Sequence, residues 1–248
     1  MLRQLPFLQR VQEIAHAGFG VDLWGWEDSA IDVIAADPEI RICAVPGWVG
    51  GSMVHPDGVE EFLHGVQQNL AVAQRLHCRN LSITTGELDA QGHVVHAIAE
   101  HPATMWITAY KTLSQVAELA ERHDVVYSLE QLNTKVDHGG YPLPHTEDVV
   151  RLIEQVGSPR IRLLCDVYHA QIEEGNVTQL IRDYHAYVGY VHVADVPGRH
   201  EPGTGEIDYP HIASVLREVG YEGVIGMEAF PSADDHDAMA RFRAVFGA

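Results

Sequence analysis

Residues 189–208, GYVHVADVPGRHEPGTGEID, carry a short apolar run into a loop crowded with charge. Tyr190, Val191 and Val193 are aromatic or β-branched, which suits a strand, and Pro197 and Gly198 stop it. His192 and Asp195 therefore fall at or near a strand's C-terminal end. The loop beyond holds Arg199, His200, Glu201 and Glu206 among Pro202, Gly203 and Gly205. That is too much Gly and Pro for a helix and more charge than a connector needs. Loops of this kind carry chemistry more often than packing.

The same unit repeats on both sides. Downstream, the pattern predicts a helix over Tyr209–Val219, a strand over Gly223–Met227 and a last helix from about Ala233. Upstream lie a helix over Asn176–Ala186, a strand over Ile161–Cys165, and a helix that Thr146 can cap, with Val149, Val150, Leu152, Ile153 and Val156 on one face. Before these come the long loop LNTKVDHGGYPLP, a strand over Val125–Glu130, and a helix with Leu113, Val116, Ala117 and Ala120 inward. Asn80–Thr84 and Ile40–Val45 read as strands. Between them, the glycine-rich segment Pro46–Gly58 reads as a mobile loop leading to a helix faced by Val59, Phe62, Leu63, Val66, Leu70 and Ala73. A short helix from Ser29 and the strand GVDLWGW, ending at an aromatic pair, precede that. The chain opens on a helix carrying Leu5, Leu8, Val11, Ile14 and Ala15, with no strand before it. Strand and helix alternate throughout without a dinucleotide-type GxGxxG, which favours an α/β (β/α)₈ TIM barrel over a doubly wound sheet. The usual first strand is lacking, so seven are visible.

At 248 residues and 46% hydrophobic, the chain suits a single barrel domain over 1–248. Sixteen Lys and Arg against thirty-five Asp and Glu leave a net charge of -19, which repels a phosphate backbone. Nucleic acid and anionic membrane are excluded as expected partners. Cys43, Cys78 and Cys165 lie scattered beside apolar runs without CxxC spacing, so buried reduced thiols are expected rather than disulfides. With no apolar run long enough to span a membrane, a reducing cytoplasm fits.

The chemistry collects at strand ends. Glu130 closes VVYSLE, Asp166 closes IRLLCD, His192 lies in YVHVAD and Glu228 closes VIGME, on four successive strands. A parallel barrel gathers those ends on one face. Three carboxylates and an imidazole suit Mn²⁺ or Mg²⁺, with Co²⁺ possible, better than structural zinc. Without a cation, three buried carboxylates would each cost several kcal/mol or take up protons. His169, three residues past Asp166, could orient a substrate hydroxyl or simply pack in a turn. Arg199 could grip a carboxylate or hydroxyls of a small polar substrate bidentately, or else pair with Glu201 or Glu206. Trp24, Trp26 and Trp48 could wall a sugar ring or serve the core.

Four blocks, LEQLNTKVDHGGY, GSPRIRLLCDVYHAQIEEGN, YVHVADVPGRHEPGTGEIDY and GYEGVIGMEAFP, carry a resemblance over roughly 125–231. The chain resembles the hydroxypyruvate isomerase-like branch of the xylose isomerase-like TIM barrels, which also includes ketose 3-epimerases. The resemblance implies one divalent metal held by Glu130, Asp166, His192 and Glu228, with Glu130 and Glu228 doubling as the catalytic acid/base pair. It further implies His169, Arg199 and Glu201 as substrate contacts; Trp48 is a candidate contact on its position at a strand exit alone. Some hydroxypyruvate isomerases have Gln where this chain has His192, whereas the ketose epimerases have His.

The chemistry expected is proton transfer beside a carbonyl through an enediolate, on a small sugar or hydroxy-oxo-acid. Return of the proton to the neighbouring carbon is aldose-ketose isomerisation; return to the opposite face is 3-epimerisation. The rivals are a sugar-acid decarboxylase, an endonuclease-type phosphodiesterase and a sugar-binding barrel without catalysis. A homodimer is expected.

Overall fold

Among the described residues, seven parallel strands lie side by side in chain order: β1 Val21–Asp22, β2 Ile42–Pro46, β3 Asn80–Thr84, β4 Val126–Glu130, β5 Ile161–Asp166, β6 Val188–Val193 and β7 Val224–Met227. The computed structural model describes residues 1–89, 92–95 and 100–247. Helices α1 Phe7–His16, α2 Asp28–Ala36, α3 Val59–Arg75, α4 Pro102–His123, α5 Thr146–Val156, α6 Val167–Glu173, α7 Val177–Tyr184, α8 Tyr209–Glu218 and α9 Asp235–Phe246 flank the sheet. The result is a nearly closed TIM barrel whose strand count fits a missing first strand. No ladder joins β7 to β1 among the described residues. β7 is accordingly half-buried along its whole length, whereas Tyr127 and Leu129 of β4 and Leu163 and Cys165 of β5 are fully enclosed.

Each helix buries the stripe that its apolar spacing dictates. In α5, Val149, Val150, Leu152 and Ile153 face inward while Glu147, Arg151 and Glu154 do not, and Gly157 ends the helix in the left-handed conformation. In α4, Ala109, Leu113, Val116, Ala117 and Ala120 do the same. No helix is long and apolar enough to cross a membrane among the described residues. All three cysteines are free and buried.

The structure departs from the sequence pattern in four places. The GVDLWGW strand shrinks to two residues, and Trp24 turns outward, 71% exposed, so it walls nothing. Segment 46–58 is packed rather than loose, because its own Met53 and Val54 are fully buried. Thr146 begins α5 without capping it; its hydroxyl and N–H donate to Glu174 Oε1 at 2.6 and 2.9 Å. Finally α6 follows β5 without a loop, since Asp166 is itself the N-cap and accepts the His169 N–H at 3.0 Å.

Candidate active site

Strand direction does most of the assembly. Glu130 and Asp166 end β4 and β5, His192 is the next-to-last residue of β6, and Glu228 follows β7 directly. Asp166 pairs in register with His192, so the two side chains leave the sheet on the same side. One ligand atom from each of Glu130, Asp166, His192 and Glu228 lies within 4.8 Å of the others. The four residues that the sequence pattern points to are thus brought together.

Their hydrogen bonding is incomplete in an informative way. Glu130 Oε1, His192 Nδ1 and Glu228 Oε2 are buried, and none makes a directed hydrogen bond. Nδ1 stands 2.7 Å from Glu228 Oε2 and 3.8 Å from Glu130 Oε1, but off the line that an N–H bond requires. Buried polar atoms left open are uncommon, and three that face one another want a shared partner. A divalent cation fits this donor set: it would satisfy all three atoms and offset the carboxylate charges.

Charge at the site is divided unevenly. Burial pushes the Glu130 carboxyl up to about 7, with the charges of Glu228 and Asp166 adding to it and His192 opposing. Burial and the Glu228 charge likewise raise Asp166. Burial would raise Glu228 too, but Arg199 and His192 outweigh it and hold this carboxyl below the ordinary value. For His192, burial disfavours the proton, yet Asp22, Glu130 and Glu228 together lift the imidazole well above its ordinary value.

Of the expected substrate contacts, two adjoin this cluster. Arg199 sits in the left-handed conformation at φ 56°, its Nη2 2.6 Å from Glu228 Oε1 and its guanidinium over the Tyr168 ring. It pairs with neither Glu201 nor Glu206. The imidazole of His169 is fully buried, and its Nδ1 accepts the Asn133 backbone N–H at 3.2 Å. The neutral ring therefore carries its proton on Nε2, which has no hydrogen-bond partner and lies 4.0 Å from Asp166 Oδ2. Burial holds His169 well below its ordinary value, so it stays neutral. Glu201 is committed elsewhere: its two oxygens accept the Ser232 N–H and hydroxyl at 2.9 and 2.6 Å, tying the loop after β6 to the loop after β7. Trp48 is half-buried with its ring against Phe62, as a core residue would be.

Two residues outside the expected set belong here. Asp22, ending β1, places Oδ2 3.5 Å from His192 Nε2. His138 lies 5.3 Å from His169, ring to ring, and its Nδ1 bonds the Gly92 carbonyl at 2.5 Å. Asp137, His138 and His169 also bring ligand atoms together, and Asp137 Oδ2, His138 Nδ1 and His169 Nδ1 are engaged within the protein, which leaves His169 Nε2 open. Asp137 Oδ2 accepts from Asn133 Nδ2 at 2.7 Å and the Tyr168 hydroxyl at 2.9 Å, and His169 Nδ1 accepts from Asn133. That group anchors the loop after β4.

The xylose isomerase-like TIM barrel family model matches residues 15–244. The chain belongs to that family. A human protein provisionally named a hydroxypyruvate isomerase is 31% identical over 183 residues, 73% of this chain and 65% of the human protein, so the match spans just under two thirds of that relative. The hydroxypyruvate isomerase of Escherichia coli strain K12 is 29% identical over 241 residues, covering 92% of this chain and 89% of the relative. Among solved structures, one titled an AP endonuclease, family 2, from Brucella melitensis superposes with a TM-score of 0.88 at 30% identity, covering 98% of this chain and 95% of the other. An L-ribulose 3-epimerase superposes at 0.77 with 25% identity, covering 97% and 87%.

Proposed function

We propose that this protein is a divalent-metal-dependent isomerase of small sugars or hydroxy-oxo-acids, acting by proton transfer between Glu130 and Glu228. The observation that carries the reading is the convergence of four strand-end residues with three buried atoms left open toward one another. Glu130, Asp166, His192 and Glu228 would hold the cation, which when bound supplies positive charge to stabilise the negative charge developing on substrate oxygen. One of the two glutamates, as its carboxylate, takes the proton beside the carbonyl, and that glutamate or its partner returns a proton to the substrate. The Nε2–H of His169 donates to a substrate hydroxyl, and Arg199 turns from Glu228 toward substrate oxygens. Relatives named hydroxypyruvate isomerase and 2-oxo-tetronate isomerase support the acid substrates, and the L-ribulose 3-epimerase supports a ketose alternative on the same residues. Mn²⁺ and Mg²⁺ suit the oxygen-rich donor set.

The likeness to a structure titled an AP endonuclease raises a phosphodiesterase as a second reading. A net charge of -19 argues against it, because DNA binding depends on cations that displace counterions from phosphate. We further infer a homodimer in a reducing cytoplasm, supported by the open side of β7 and by three free thiols. Light scattering after size exclusion tests the dimer.

The deciding experiment measures metal content of the purified protein, then follows deuterium entry from solvent into small ketoses and oxo-acids with Mn²⁺, Mg²⁺ or Co²⁺ supplied. Bound metal together with deuterium beside a carbonyl supports the reading and identifies the carbon. Neither metal nor exchange would overturn it in favour of a binding barrel.

A further inference from the structure

We infer that Asp22 is a positioning residue that fixes which nitrogen of His192 is free to meet a cation. The inference rests on the proposed reading of the four strand-end residues as metal ligands. His192 has two distinct edges: Nδ1 faces Glu228 and Glu130 at 2.7 and 3.8 Å, and Nε2 faces Asp22 Oδ2 at 3.5 Å. A ring nitrogen binds a cation through its lone pair, so a neutral His192 that offers Nδ1 must keep its proton on Nε2. Nε2 makes no directed hydrogen bond in this structure, and Asp22 Oδ2, 3.5 Å away, is the carboxylate oxygen that faces it. Metal-ligating histidines are commonly oriented by a carboxylate on their far nitrogen, and Asp22 occupies that place.

The fold builds a cradle for this carboxylate. The Tyr190 hydroxyl donates to Asp22 Oδ1 at 2.6 Å, leaving Oδ2 for the imidazole. Tyr190 and His192 are two residues apart on β6 and so share a face of the sheet. Gly226 of β7 is the register partner of His192, and a Cβ there would collide with Asp22 Oδ2 and crowd the His192 ring at 3.1 Å from Cδ2. Only glycine leaves the carboxylate its room. Asp22 thus reaches from β1, at one end of the sheet, to β6 and β7 at the other, where no ladder joins the ends among the described residues. A purely structural Asp22 would bridge this gap and affect stability alone; a positioning Asp22 also sets metal affinity.

The test is calorimetric titration of the full chain, freed of metal by chelation, with Mn²⁺. Asp22→Ala is expected to weaken binding by about 10- to 100-fold, the usual loss when a ligand's orienting partner is removed. Tyr190→Phe, which frees Asp22 without removing it, should weaken binding by a smaller factor. Adding Tyr190→Phe to Asp22→Ala should weaken it no further, because the hydroxyl acts through the carboxylate. Urea unfolding of each metal-free variant separates a fold effect from a site effect, and Asp22→Leu, which keeps much of the volume but offers no acceptor, serves where Asp22→Ala does not fold. Wild-type Mn²⁺ affinity in a folded Asp22 variant overturns the inference and leaves the proposed function standing. A wild-type protein that takes up no Mn²⁺, Co²⁺ or Zn²⁺ overturns both.

Discussion

Replacing Glu130 with Gln should improve one property of the protein while destroying another. The carboxyl is 7% exposed, and burial pushes it up to about 7 from an ordinary 4.5. A carboxyl raised on folding keeps a proton that the unfolded chain has already lost. Stability therefore falls as pH climbs from the unfolded value through the folded one, and levels off above it. Carrying the shift through linkage gives a penalty of about 3 kcal/mol near pH 8 and about 1 kcal/mol near pH 5. Gln keeps the shape without ionising, so metal-free Glu130→Gln should gain on the wild type by about 2 to 3 kcal/mol between those two pH values. Urea unfolding in the presence of a chelator reads this directly. The comparison uses the difference between the pH values, so any fixed cost of the substitution cancels. Parallel pH curves for the two proteins would refute the idea that burial governs Glu130. Isomerase turnover with metal supplied should meanwhile be lost in the variant.

Glu228→Gln should also abolish turnover while leaving the fold intact, since it removes charge without volume; circular dichroism and deuterium exchange check the two halves, and unaltered activity would remove Glu228 from the acid/base pair. Arg199→Ala should raise KM more than it lowers kcat if the guanidinium turns to substrate; a change in kcat alone would confine Arg199 to tuning Glu228, which it contacts at 2.6 Å. Asp195→Ala should cost about 3 to 5 kcal/mol in urea unfolding, because a fully buried carboxylate accepting four backbone N–H groups leaves all four unpaired when it goes. Mn²⁺ affinity should rise as pH rises through neutrality, because Glu130 near 7 and the raised His192 must both give up protons to ligate; a flat titration from pH 6 to 8 would contradict these raised values.

Most of the barrel is legible in the sequence because its helices and inner strands are simple two-sided objects. Asn80–Thr84 reads as β3 residue for residue, and the spacing of Val149, Val150, Leu152 and Ile153 marks the face that α5 buries. Failures fall where local pattern and local backbone disagree. GVDLWGW has strand composition, but only Val21 and Asp22 pair with β2, and the register shifts between them. DVYHAQIE has no apolar periodicity long enough to announce a helix; α6 forms because Asp166 caps it. The loops at 130–145 and 195–208 are held by interactions that periodicity does not show, those of the second loop centred on Asp195. Asn133 Oδ1 accepts the Val136 and Asp137 N–H groups, and Glu173 accepts from the Thr134 N–H and hydroxyl.

The candidate site divides along the same line, and hydrogen bonding separates acids that hold loops from acids that await a partner. Asp195, in the middle of the charged stretch, looks as functional in sequence as Asp166, yet both its oxygens are filled by Val196, Gly203, Thr204 and Ile207 N–H groups. Glu201 is likewise filled by Ser232. Glu130 and Glu228 each keep a buried oxygen open. Sequence places all of these acids beside strand ends, because that is where parallel topology sends them; only the inventory of satisfied lone pairs tells scaffold from chemistry. Asp22 escapes both tests. It sits on a strand too short to read and its second oxygen is taken by Tyr190 of β6, a contact across 168 residues of sequence. Its signal is Gly226, a glycine directly beside His192 whose missing side chain is the space that Asp22 fills.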